Sequence, residues 1–210
     1  GISCGGVTAL HRESRLTLSG VLGDDAERRH LVDRLGGIGG VTGVDASALA
    51  IVPRPFCGLL GEVLKAGAIA VAAEDAGMPG GLHRYAVGDR MLFDVTTPDF
   101  PAHIRIDYFE GDGNVHHLMP SDFVADTRFS AGSRLVLGGE GRMELVASGP
   151  AGTDLLLVLA VSDPLADGLP AFSEPAEAYL PRLARAIAAL RTSPPARVAL
   201  PFILIRIAGA

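Results

Sequence analysis

Apolar and polar residues alternate through "RLTLSGV", with Leu16, Leu18 and Gly20 on one side and Arg15, Thr17 and Ser19 on the other. A period of two predicts a half-exposed strand. In the next stretch, "GDDAERRHLVDRLGG", Leu31, Val32 and Leu35 form a stripe at helical spacing. Asp24 or Asp25 is placed to cap its first turn and Gly36 to supply a left-handed stop. Val44, Leu49, Ile51 and Val52 then mark a second strand that Pro53 and Pro55 close. A second helix is predicted from Pro55 through "FCGLLGEVLKAG", burying Leu59, Leu60, Val63 and Leu64 and ending at Gly67. The glycine- and proline-rich "EDAGMPGGLHRYAVGD" reads as a loop.

From Asp89 the pattern is that of strands: "RMLFDVTTP", "AHIRIDYFE", "NVHHLMP", "SRLVLGG", "RMELVASG" and "DLLLVLAVS". The turn residues "GDGN" at Gly111–Asn114 join two of them in a hairpin. Short strands in this number predict a sandwich or a partly closed barrel. In "EPAEAYLPRLARAIAAL", Tyr179, Leu183, Ile187 and Leu190 share one helical face, with Pro181 in the first turn or bending the helix. A last strand is predicted in "ARVALPFILIRIAG".

Composition narrows the function classes. Hydrophobic residues make up 48% of the 210 and charged ones 20%, which is the balance of a folded chain rather than a disordered one. The net charge is -6, Lys65 is the one lysine and the arginines are scattered, so no surface is predicted for nucleic acid. No apolar run reaches the roughly 20 residues that span a bilayer. The sequence opens at Gly1 rather than a methionine, and we expect it to be a piece of a longer protein.

Two resemblances add to this. The order strand, helix, strand over residues 7–52, with "LTLSGVL" before the helix and "GGVTGVDASALAIV" after it, resembles a BON domain. Such units serve as accessory modules near membranes, surfaces or other domains. The stretch from Tyr85 to Leu165 resembles the DUF4384 family: a "VGD" turn opens a strand, "PDF" turns a corner, "GDGNVHHLMP" makes a hairpin and "GPAGTD" leads into the central strand. With the flanking segments "PFCGLL" and "PLADGLPAFSEPAEAYLPRLARAI", the similarity extends over about 67–207, as in the C-terminal regions of bacterial serine/threonine kinases. The fold implied is α+β. It has a small BON-like α/β unit (1–55), a helix and linker (56–84), and a β-sandwich-like domain with a C-terminal helix and strand (85–210).

Candidate chemistry is sparse. His116 and His117 are adjacent on a strand and point to opposite faces, and no H-x-H or C-x-x-C spacing is present, so no metal site is expected. His103, Asp107, Glu110 and Asp112 lie near the same hairpin, where solvated turn carboxylates are commoner than a Ca²⁺ site. No serine stands in a G-x-S-x-G elbow, and "GGIGGVTG" lacks the preceding strand and the lysine of a phosphate loop. Recognition by surface remains. Tyr108, Phe109, Asp112 and Asn114 are the expected contact residues, with Phe100 and Phe123 as further aromatic candidates and at least half of the four rings expected in the core.

The functional expectation is a non-catalytic sensory or protein-interaction module of a bacterial envelope-associated signalling protein, with no cofactor. Its partner is a protein or an envelope ligand. The alternative is a structural or assembly component of a secretion or surface-polysaccharide system. Cys4 and Cys57 flank the BON-like unit, and a bridge between them would contribute about 4 kcal/mol by restricting the unfolded chain. An oxidising, extracytoplasmic location is implied if they pair and a cytoplasmic one otherwise. Thiol titration of the denatured, unreduced protein made in an oxidising compartment is expected to find no free sulfhydryl; two titratable thiols would exclude the bridge.

Overall fold

The computed structural model describes residues 5–52, 56–57, 82–121, 124–139, 143–165, 172–189, 196–199 and 202–208. The chain divides into two compact units, Gly1–Val71 and Ala72–Ala210.

The first unit is a three-stranded sheet with one helix. Strand β1 (Gly5–Arg12) pairs antiparallel with β2 (Arg15–Leu22), and β2 runs parallel to β3 (Gly43–Ile51) across helix α1 (Asp25–Gly36). Asp24 caps the helix by accepting the Glu27 N–H at 2.8 Å, and Glu27 reaches back to the Gly23 N–H at 3.3 Å. The expected left-handed stop is not at Gly36. Helix α1 runs through that residue and ends on Gly37 in a right-handed conformation, its N–H bonded to Asp33 and Leu35 carbonyls. Leu31 and Leu35 pack on Leu18, Leu22 and Leu49, which form the buried core of this sheet. Each fully buried leucine contributes about 1.5–3 kcal/mol relative to exposure.

Strand β1 went unpredicted for a physical reason. The two-residue turn joining it to β2 is Glu13–Ser14, with φ of 46° and 67°. Both central residues of such a turn must adopt positive φ, a role that Asn-Gly or Asp-Gly usually fills. The hairpin therefore carries no sequence signal.

The second unit is built on one large sheet of β4 (Leu82–Ala86), β6 (Ala102–Phe109), β7 (Asn114–Met119), β8 (Arg128–Phe129), β10 (Gly152–Val161), β11 (Ser173–Pro175), β12 (Val198–Ala199) and β13 (Phe202–Ala208). Its main path is β11-β7-β6-β10-β13-β4. Strands β5 (Phe93–Thr96) and β9 (Arg134–Leu137) form a separate ribbon. Strand β10 lies between β6 and β13, so both of its edges are paired, and every residue from Asp154 to Val161 is buried.

Alternation along the central strands assigns the two faces. Ile104, Ile106 and Tyr108 of β6, Leu156, Val158 and Ala160 of β10, and Ile203, Ile205 and Ile207 of β13 pack with Phe93, Val95 and Leu135 of the ribbon. The opposite face carries Arg105, Asp107, Phe109 and His117, against which Tyr179 of helix α2 (Ala176–Ala189) packs. Leu183 and Ile187 are buried on the same side of that helix. The expected sandwich is thus a large sheet with a two-stranded ribbon on one side and a helix on the other, a β-rich α+β fold.

Two expectations need correction. Residues Leu82–Ala86, read as part of a loop, form strand β4, whose parallel partner β13 lies more than a hundred residues later in the chain. The described residues of "RMELVASG", 143–149, form no strand and make one isolated bridge, Val146 to Arg90. Pro181 lies inside α2, where it removes the N–H that would bond Glu177. The helix predicted from Pro55 lies outside the described residues except at Phe56 and Cys57, which are helical and buried.

Replacing Ser14 by Gly relieves the positive-φ position without removing a contact of the hydrophobic core. Ser14→Gly is expected to raise stability by about 1 kcal/mol in denaturant melts, whereas an unchanged or lower midpoint would show that the turn is not strained.

Candidate functional site

The sheet face beneath α2 gathers side chains from four elements. Asp107 and Arg105 come from β6, His117 from β7, Glu174 from β11, and Tyr179 and Arg182 from α2. His117 Nδ1 lies 2.7 Å from Asp107 Oδ1, and its Nε2 lies 3.1 Å from Glu174 Oε1. The Tyr179 hydroxyl donates to Asp107 Oδ2 at 2.5 Å and accepts from Arg105 at 3.2 Å. Arg182 forms an ion pair with Glu174. The His117 and Tyr179 rings meet edge to face at 4.6 Å between centroids. His117 and Asp107 are each 1% exposed. Burial first, and then the Asp107 charge, hold the Tyr179 hydroxyl well above the usual tyrosine range, so it acts as a hydrogen donor.

The ingredients are those of acid–base chemistry, but each is already engaged by a neighbour. Among the described residues no buried side-chain polar atom lacks a hydrogen-bond partner. The arrangement ties β11 and α2 to the centre of the sheet.

On the ribbon side, the Tyr108 hydroxyl donates to Asp154 Oδ2 at 2.6 Å, and the Gly111 N–H donates to Asp154 Oδ1 at 2.9 Å. Burial raises the Asp154 carboxyl above its ordinary range, partly offset by these two bonds. Tyr108 is likewise raised, by burial and then by its bond to Asp154.

The hairpin between β6 and β7 differs from the contact surface expected of it. Tyr108 and Phe109 are 6% and 1% exposed, because β6 is an interior strand covered by the ribbon on one face and α2 on the other. Neither ring is available to a partner, and Phe100 is buried as well; Phe123 lies outside the described residues. Asp112 and Asn114 are at the tip, where Asp112 accepts from the Asn114 N–H and side-chain amide, both at 3.0 Å. The tip is itself docked, since the Gly113 carbonyl accepts the first N–H of α2 at 2.9 Å. The acidic residues do not converge. Asp107 lies beneath α2, Glu110 meets His116 at 3.0 Å, and Asp112 closes the turn. His103 lies 3.4 Å from Thr127 Oγ1. Groups of side chains able to hold a metal ion are not found among the described residues. Cys57 is fully buried, and its expected partner Cys4 lies outside the described residues.

A concave surface occurs elsewhere in the second unit. Leu118 and Met119 of β7, Val124, Phe129 of β8, and Leu135 and Leu137 of β9 line a small apolar cleft, with about 70 Å³ of room, that is partly open to solvent. Sequence reasoning missed it because its walls come from separate elements whose residues each look like ordinary core.

Residues 84–164 match the family model of a domain of unknown function, DUF4384. They contain β5 to β10, including the cleft, Asp107 and His117. Glu174, Tyr179 and Arg182 lie beyond the matched segment, so the network joins the DUF4384 domain to the elements after it. No curated protein and no solved structure matches the chain. No described helix is long and apolar enough to cross a membrane.

Asp154 supplies a pH test. A carboxyl raised by folding contributes stability below the unfolded-state value near 4, and that contribution is lost as pH rises through the folded-state value. Asparagine can accept from Gly111 and donate to Tyr108 without titrating. Asp154→Asn is therefore expected to gain on the wild type as pH rises above about 4, measured as the difference in unfolding free energy. A difference independent of pH would refute the assignment.

Proposed function

We propose that this chain is a non-catalytic protein-interaction module of a bacterial envelope-associated signalling protein, the C-terminal region of a serine/threonine kinase, with the N-terminal β-α-β unit acting as a BON-like accessory. The match to DUF4384 supports the modular reading, and the acid–base residues of the second unit support it by being bonded to one another under α2.

The observation that carries the binding role is the apolar cleft walled by β9. Among the described residues β9 pairs with β5 alone. The Thr97 N–H bonds the Ser133 carbonyl in the same ladder. By the alternation of an antiparallel pair, Leu135 and Leu137 bond β5, while Arg134 and Val136 turn their backbone groups outward. An open strand edge beside an apolar cleft suits an extended peptide that adds one strand and buries alternate side chains. The partner is therefore a protein segment with apolar residues at every second position.

Selection of random peptides against the whole chain is expected to enrich that pattern. Val136 is 44% exposed, so Val136→Lys should leave the melting temperature unchanged. By placing a charge at the strand edge it should weaken the selected peptides about tenfold or more. Equal binding to wild type and variant would exclude this edge.

A further inference from the structure

Beyond binding, the contacts of His117 carry a requirement of hydrogen number. The ring faces Asp107 through Nδ1 and Glu174 through Nε2. An ionised carboxylate is an acceptor only, and a neutral imidazole has one N–H. A neutral ring between two carboxylates satisfies one contact and sets two lone pairs against each other in the second. Both contacts exist together when the three groups hold two protons between them, one at Nδ1···Oδ1 and one at Nε2···Oε1.

The neighbouring groups suit that state. From β6, Arg105 donates to the Tyr179 hydroxyl, and from α2, Tyr179 donates to Asp107 Oδ2. Also from α2, Arg182 pairs with Glu174, whose strand β11 borders β7. Asp107 thus receives Tyr179 on one oxygen and meets His117 with the other, whereas Glu174 meets Arg182 and His117 at the same oxygen, Oε1. The Nε2 contact is the step that spans from β7 to β11, and α2 begins immediately after β11.

We propose that the β11–α2 segment is a proton-dependent latch: the second proton of the Asp107–His117–Glu174 relay fastens the segment to the sheet, and its loss to solvent as pH rises loosens it. When that proton passes from Nε2 to solvent, the Nε2–H bond and the hydrogen bond to Oε1 are lost together, and the Nδ1–H bonded to Asp107 is kept. Backbone pairing of Glu174 with Val115, the α2 cap on Gly113 and the buried Leu183 and Ile187 remain. The opening is therefore local, within β11 and α2.

Hydrogen exchange of the whole chain reads this out. As pH is raised from acid to alkaline conditions in which the chain stays folded, protection factors of α2 amides are expected to fall roughly tenfold while those of β10 hold. In Glu174→Gln the side-chain amide can donate to a neutral Nε2, and its oxygen can still accept from Arg182. The variant should keep α2 protected at the upper end of the range. Equal protection of wild-type α2 at both ends, or the same pH profile in Glu174→Gln as in wild type, would overturn the proposal. A second readout on the wild type is the pair of His117 ring ¹⁵N shifts. They are expected to change over the interval in which α2 loosens, and shifts constant throughout would also overturn it.

Discussion

Placing Asp107 on an interior strand imposes the constraint around which one face of the second unit is organised. A carboxylate removed from water costs several kcal/mol unless donors reach both of its oxygens. Here one oxygen is served by His117 from the neighbouring strand and the other by Tyr179 from the helix above. The helix is therefore more than an apolar lid. Its rotation is fixed by the need to deliver Tyr179 to Asp107 and Arg182 to Glu174, a specification that Leu183 and Ile187 alone, being non-directional, would not supply. The other face shows the same logic on a smaller scale: Asp154 is buried with the Tyr108 hydroxyl on one oxygen and a hairpin N–H on the other.

Much of the fold was legible because local patterns agreed with their surroundings. Alternation located β2, strand-like segments between turns located β6, β7 and β10, and the face of Tyr179, Leu183 and Ile187 located α2. What stayed hidden depends on distant partners or on residues acting against type. Strand β4 is defined by β13, and β1 turns on Glu13–Ser14 at positive φ. Periodicity gave the directions of His116 and His117 correctly but could not give the partners of His117. Tyr179 stands 72 positions from the Asp107 it bonds and Glu174 stands 57 from His117. The misjudged exposure of Tyr108 and Phe109 has a single cause: an aromatic pair beside a polar hairpin tip suggests a surface, and only strand order reveals that both faces of β6 are covered.

The boundary of the DUF4384 match takes on physical meaning beside the topology. Residues 84–164 supply the ribbon, the cleft and the central strand, yet β10 has β13 as one of its two principal neighbours. Leu155, Leu156 and Leu157 of β10 are buried and lie opposite Leu204, Ile203 and Phe202 of β13. Within this chain β13 and α2 complete the matched segment, the strand through sheet pairing on one side and the helix through the relay beneath it on the other.

That completion has a consequence for synthesis on the ribosome. Strand β10 emerges well before β13, and β4 is made before either while depending on β13 for its pairing among the described residues. A nascent chain translated as far as Val161 therefore exposes the apolar edge of its most hydrophobic strand, and does so for the time taken to add about forty residues, a few seconds at about 5–20 residues per second. During that interval the α2 segment, which is made first, can engage the opposite face through Tyr179. The order in which the chain is made thus assembles the polar contacts before the apolar sheet is closed, and leaves an unpaired β-edge as the form most in need of a chaperone.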